Sequence, residues 1–171
     1  MMVDGGKVDQ MLYLNNNLKG ADPVKYTKAS RGRTFILKLE NGDRIPEVIE
    51  KFAEAEEVSS ALVFFLGGVD ETSRVVVGPE DREEQNEIIP QIKDLPRISE
   101  AVGLGTIFSS EQNSPRLHLH SAFGSQNETI TGCTREGVSI WLIAEIIVLE
   151  LVNHEAHRKI DPATGFELLD I

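Results

Sequence analysis

Two histidines and one cysteine are the residues of this chain whose types and spacing could act together chemically. His118 and His120 lie in Pro115-Arg116-Leu117-His118-Leu119-His120-Ser121, and Cys133 follows 13 residues later. If the segment is a strand, alternation sends both imidazoles to one face while Leu117 and Leu119 turn to the other. The rise of a strand then sets the two histidines roughly 6.5 to 7 Å apart at the backbone, close enough for their side chains to converge on one metal ion. Zinc is the natural ion for such nitrogen donors, and the thiolate of Cys133 would be a strong third ligand. The same residues also fit two histidines that hydrogen-bond within a sheet beside a small buried thiol.

The elements that must position these residues follow from apolar patterning. Thr34 to Leu39 reads as a strand, stopped by the turn residues Asn41-Gly42-Asp43. A helix should follow, with Pro46 in its first turn and Ile45, Val48, Ile49 and Phe52 at the i, i+3, i+4, i+7 positions of one face. Ala61 to Leu66, ended by Gly67-Gly68, reads as a buried strand, with Val75 to Val77 as its neighbour. Ala101 to Ser109, Arg116 to Phe123 and Val138 to Val152 are further strands, separated by Glu111 to Pro115 and by the polar stretch Gly124 to Thr131. The last is long for one strand and should contain a bulge or bend. Asp161 to Gly165 is a turn into a final short strand, Phe166 to Leu169. One early helix and many late strands predict an α+β domain, a central and mostly antiparallel sheet with one or two packed helices.

Composition bounds the function. The chain has 171 residues, 40% apolar and 26% charged, which suits a single folded domain. Residues 1–31 have the make-up of a flexible N-terminal arm and residues 32–171 that of the domain. The longest nearly uncharged stretch, Val138 to Leu149, contains Glu145 and is shorter than the roughly 20 apolar residues needed to cross a bilayer. With no apolar leader and no possible internal disulfide, a cytoplasmic protein is expected. The net charge is −11, and dividing the chain after Arg33 leaves +3 on the first part and −14 on the rest. An acidic body repels the phosphates of nucleic acid, so DNA is a doubtful partner. The acidic run from Glu80 to Glu87 reads as a solvated loop or helix face.

Several motifs fall short of a function. His154-Glu155-Ala156-His157 spaces its histidines three apart where the zinc-protease helix needs four, and it is assigned to the surface. Gly103-Leu104-Gly105 lacks the third glycine and following helix of a dinucleotide site. Arg31-Gly32-Arg33 has the core of a minor-groove hook, but Thr34 stands where proline is needed.

The order of Gly32-Arg33, Pro115 to His120, Gly132, Glu136-Gly137, Ala144-Glu145-Ile146-Ile147 and Asp161 to Gly165 resembles the plants-and-prokaryotes conserved domain over about residues 31 to 171. That resemblance implies an α+β fold around an antiparallel sheet and a homotrimer. It further implies, in prokaryotic members, a metal held by the two strand histidines and a third histidine after a Gly-Gly pair. Here Thr131-Gly132-Cys133-Thr134 occupies that third place: either Cys133 replaces the third ligand, the set being His118, His120 and Cys133 on zinc with one coordination position open, or the metal is lost. Arg33 and Glu145 also match positions the family keeps. A carboxylate in an apolar strand is costly to bury unpaired, so Glu145 is expected to meet a cation or backbone donors, as a structural salt bridge or beside the metal. Three functions compete on these grounds: a trimeric metal-binding module, a zinc-dependent enzyme on a small molecule, and a DNA-binding protein, the label often given to the family.

Overall fold

The computed structural model describes residues 24–80 and 88–171. Most of the N-terminal arm and, apart from Glu80, the acidic run lie outside the described residues. The elements in chain order are β1 (Ser30–Glu40), β2 (Arg44–Ile45), α1 (Glu47–Ala55), β3 (Ser60–Val69), β4 (Arg74–Pro79), β5 (Pro90–Asp94), β6 (Ser99–Ser109), β7 (Pro115–Ser125), β8 (Glu128–Cys133), a 3-10 turn (Thr134–Glu136), β9 (Val138–Val152), β10 (His157–Ile160) and β11 (Glu167–Asp170). The α+β expectation therefore stands with a single α-helix among the described residues, not two.

One sheet dominates, in the order β1-β9-β3-β6-β7-β8-β4-β5, with the short β2 paired to β9. Its pairings are antiparallel, and β10 and β11 form a separate hairpin. The inner face carries Leu39, Val63, Phe65, Ile107, Leu119, Phe123, Ile146 and Val148, all buried. Helix α1 closes this face: Ile49 and Ala53 are fully buried, and Phe52 meets Phe35 edge-on at 5.2 Å between ring centroids. The helix forms where it was expected because its apolar positions fall on one side while Glu47, Glu50, Lys51 and Glu54 take the other.

The alternation in β9 breaks at Trp141-Leu142-Ile143, where Leu142 takes a φ of 66° and the register to β3 shifts between Gly67 and Val69. The expected bend is thus a local irregularity that lets one strand of 15 residues serve β1, β2 and β3.

Three expectations need correction. Strand β1 begins at Ser30, so the last residues assigned to the arm are sheet, joined through a register shift between Arg31 and Thr34. Strand β4 does not pair with β3; it lies at the far side of the sheet against β5 and β8. The polar stretch after Gly124 is not a loop but the strand β8, whose threonines Thr129 and Thr131 face solvent on the outer side and whose Glu128 is exposed at the start of the strand.

Glu145 is also placed differently. Alternation puts Ala144, Ile146, Val148 and Glu150 on the inner face and Glu145 outside, opposite Lys38 and Leu66. The carboxylate that pairs with Arg33 is Glu150, a buried residue. Arg33 donates three bonds to it, from its backbone N–H (2.8 Å), Nε (2.9 Å) and Nη2 (2.7 Å), and a further one to the Glu56 carbonyl (2.8 Å). The pair ties β1 and β9 to the end of α1 and has no contact with the histidines.

Candidate metal centre

Strand β7 is pressed onto its neighbour by two glycines. A Cβ on Gly105 would lie 2.5 Å from the His118 carbonyl, and one on Gly103 would strike the Ser121 side chain. The Gly-Leu-Gly segment therefore serves close strand packing, which explains a motif that resembled an incomplete nucleotide site. Leu119, fully buried, anchors the strand from the inside, and its carbonyl accepts a bond from Thr134 Oγ1 at 3.3 Å.

On the opposite, outer side the two imidazoles stand together as alternation requires. Their Nε2 atoms are 3.0 Å apart and their rings meet edge-on at 4.7 Å. The hairpin from β7 to β8, turning at Gln126 and Asn127, sets Cys133 in register directly opposite His120. One donor atom from each of His118, His120 and Cys133 lies within 4.8 Å of the others. No other group of three such residues comes together among the described residues.

These donors fit a tetrahedral zinc ion. Bond lengths near 2.0 Å to nitrogen and 2.3 Å to sulfur put two nitrogens about 3.3 Å apart and nitrogen and sulfur about 3.6 Å apart. The histidine pair is already close to that spacing, and the sulfur, within 4.8 Å of both rings' donors, is in reach of the same ion. Arg135 Nε donates to Cys133 Sγ at 3.3 Å, an outer contact that fixes the orientation of the sulfur. The His118 imidazole is held below its usual pKa, chiefly by loss of hydration and further by the charges of Arg158 and Arg135. Neutral imidazole is the ligand form, so these surroundings favour binding rather than oppose it.

The outer face continues away from the histidines as an apolar surface. Register rows run Ile36, Ile147, Phe64, Leu104, His120 and then Lys38, Glu145, Leu66, Val102, Ala122. Ile36 is 83% exposed, Val102 61% and Leu66 58%, a run of hydrophobic surface too contiguous for scattered surface residues. To the other side, His118 and Cys133 open onto a cleft of about 570 Å³ beneath the β10–β11 hairpin. Its wall carries Arg116, Arg135 and Arg158, none of which the sequence singled out. Arg135 could have been noticed from its place two residues after Cys133; Arg158 carries no local signal, since only the fold brings β10 to β6.

Among solved structures, the metal-containing protein AF0104 of Archaeoglobus fulgidus superposes with a TM-score of 0.71 at 23% identity, covering 85% of this chain and 98% of that one. A plant- and prokaryote-conserved protein of Pyrococcus horikoshii gives 0.72 at 20% identity over 86% and 98%. A candidate DNA-binding protein of Ralstonia eutropha JMP134 gives 0.62 at 19% identity over 91% and 99%. These likenesses establish the fold. A curated relative, the bifunctional protein GlmU of Synechococcus sp. (strain JA-3-3Ab), is 26% identical over 140 residues, 81% of this chain, which spans about a fifth of that relative's length. The Plants and Prokaryotes Conserved (PCC) domain matches residues 26–152, from just before β1 to the end of β9, and so includes the His-x-His strand and Cys133. The chain therefore belongs to the Plants and Prokaryotes Conserved domain family.

Proposed function

We propose that this protein is a trimeric zinc-binding domain in which His118, His120 and Cys133 hold one ion. The observation that carries the reading is the convergence of three donor atoms within 4.8 Å on the outer side of the sheet, two of them exposed and that of Cys133 buried. Strand alternation gives two of them and the β7–β8 register gives the third. Three protein ligands leave a position for water or a small molecule, and zinc there would polarise a bound oxygen and ease its loss of a proton near neutral pH. The metal-containing character of the archaeal neighbour supports a metal in this family.

The trimer reading rests on the apolar rows of the outer face. Phe64, Leu66, Val102 and Leu104 lie beside the histidines, exposed among the described residues, and association of copies would remove that surface from water. A DNA-binding role is disfavoured by the −14 carried after Arg33.

Zinc content of the purified protein decides the first claim. About one ion per chain in the wild type, with loss in both His120→Ala and Cys133→Ser, is the expected result. Retention in Cys133→Ser removes the cysteine from the site, and a wild type that takes up no zinc removes the site.

A further inference from the structure

The cleft next to the histidines contains a buried cation that no carboxylate of the described residues meets at ion-pair distance. Arg158 is only 7% exposed, and a guanidinium offers five N–H donors. Two of its contacts are hydrogen bonds, both long at 3.4 Å, to the Glu167 carbonyl and to Thr106 Oγ1. Its third is the Phe108 ring, 6.0 Å away. No carboxylate forms an ion pair with it among the described residues. Burying a charge in this way is costly unless something pairs with it.

The surroundings show what could. Arg135 and Arg116 stand on the same wall, against one carboxylate, Glu167, which is 3.8 Å from Arg116. The cleft is thus locally positive in a chain of net charge −11. Apart from Thr106, His118 and Cys133, the rest of its lining is mostly hydrocarbon, mainly Phe108, Phe166 and Leu168. At about 570 Å³ it falls within the ordinary range for small-molecule sites. Bare phosphate would answer the arginines and leave the apolar wall unused, whereas a carboxylate on a short hydrocarbon body would answer both.

We propose that this cleft binds a small aliphatic carboxylate, its charged end on the guanidinium of Arg158 assisted by Arg135 and its body against Phe108 and Phe166. The arginine that recognises it comes from β10, which lies beyond the matched family domain at residues 26–152. Desolvation weighs against the charge of Arg158 more than the nearby Glu167 carboxylate supports it, and an incoming anion would relieve it. The site stands beside the zinc reading and does not depend on it.

The test is calorimetric titration of the full chain with sodium hexanoate, with hexanamide as the uncharged isostere and with inorganic phosphate. Each is run on zinc-loaded and on EDTA-treated protein. Hexanoate should bind at least tenfold more tightly than hexanamide or phosphate in both preparations. Arg158→Gln should weaken it at least tenfold, and Lys38→Gln, on β1 at the opposite edge of the sheet, should leave it unchanged. If Arg158→Gln fails to fold by circular dichroism, Arg135→Gln and the wild-type comparison of hexanoate with hexanamide decide. Equal binding of hexanoate and hexanamide overturns the proposal, as does phosphate binding as tightly as hexanoate or wild-type affinity in folded Arg158→Gln. Hexanoate binding that vanishes with EDTA also overturns it, since the metal would then be the anion's partner. A protein that takes hexanoate but no zinc upholds this site and removes the zinc reading; one that takes zinc but no hexanoate does the reverse.

Discussion

Leu119 lies between the two histidines in sequence and points the opposite way, so Leu119→Ala tests whether the outer site is held by the inner core. The side chain is fully buried in the same cluster as Ile107, Phe123 and Ile146. Truncation removes three carbons and leaves a void that the flanking strands cannot readily fill, because Gly105 already brings β6 and β7 into close approach. Such core truncations cost roughly 3 to 5 kcal/mol, and the lower end applies where neighbouring leucine and isoleucine side chains can relax inward. At about 3 kcal/mol the melting temperature of a chain this size falls by roughly 6 to 12 °C. The assay is thermal unfolding by circular dichroism in EDTA, which separates folding from any stabilisation by bound metal. Ile160→Ala, on the half-exposed surface of β10, provides the comparison and should shift the midpoint by less than about 2 °C. In parallel, zinc affinity of Leu119→Ala should fall, since both imidazoles are borne by the loosened strand. A midpoint for Leu119→Ala within 2 °C of wild type would refute the claim that the core seats this strand.

Further outcomes follow from the charges and the outer face. Glu150 is held below the usual carboxylate range chiefly by the hydrogen bonds from Arg33, so its contribution is complete above the unfolded value near pH 4.3 and is lost as pH falls through the lower folded value. Glu150→Gln should melt below wild type at pH 7, and that gap should close as pH drops below about 4; a gap constant from pH 7 to 3 contradicts the linkage. Light scattering should give about three times the 18.9 kDa chain mass for wild type and a shift toward one chain for Phe64→Glu combined with Leu104→Lys; a wild type at one chain mass would sink the trimer. Duplex DNA should not be retarded in gel shifts at physiological salt, and tight binding that weakens steeply with added salt would overturn the electrostatic argument.

The histidine pair was legible because a period of two needs only the local sequence, and Leu117 and Leu119 mark the buried side. The helix was legible for the same kind of reason, from Ile45, Val48, Ile49 and Phe52. What the sequence concealed was long-range. Thr129, Thr131 and Gly132 look like loop residues, and only their pairing with β7 makes them a strand. Glu145 attracted attention as an acid in an apolar run, but the phase of Ala144 and Ile146 puts it outside, and Glu150, five residues on, takes Arg33. Arg158 was invisible, because a lone arginine near the end of a chain says nothing until the fold buries it.

Both steps that make the candidate centre, the alternation of one strand and the register of one hairpin, are short-range. His118, His120 and Cys133 span 16 residues and meet across one hairpin, whereas β1 and β9 join residues as far apart as Ser30 and Val152. Closing a small loop costs less chain entropy than closing a large one, and hairpins form in microseconds. The ligand set can therefore assemble while the sheet's far edges are still unpaired, and an ion captured at that stage would fix the β7–β8 register on which the placement of β4 and β5 then depends. Metal supply during refolding would in that case govern the yield of folded chain as well as the occupancy of the finished site.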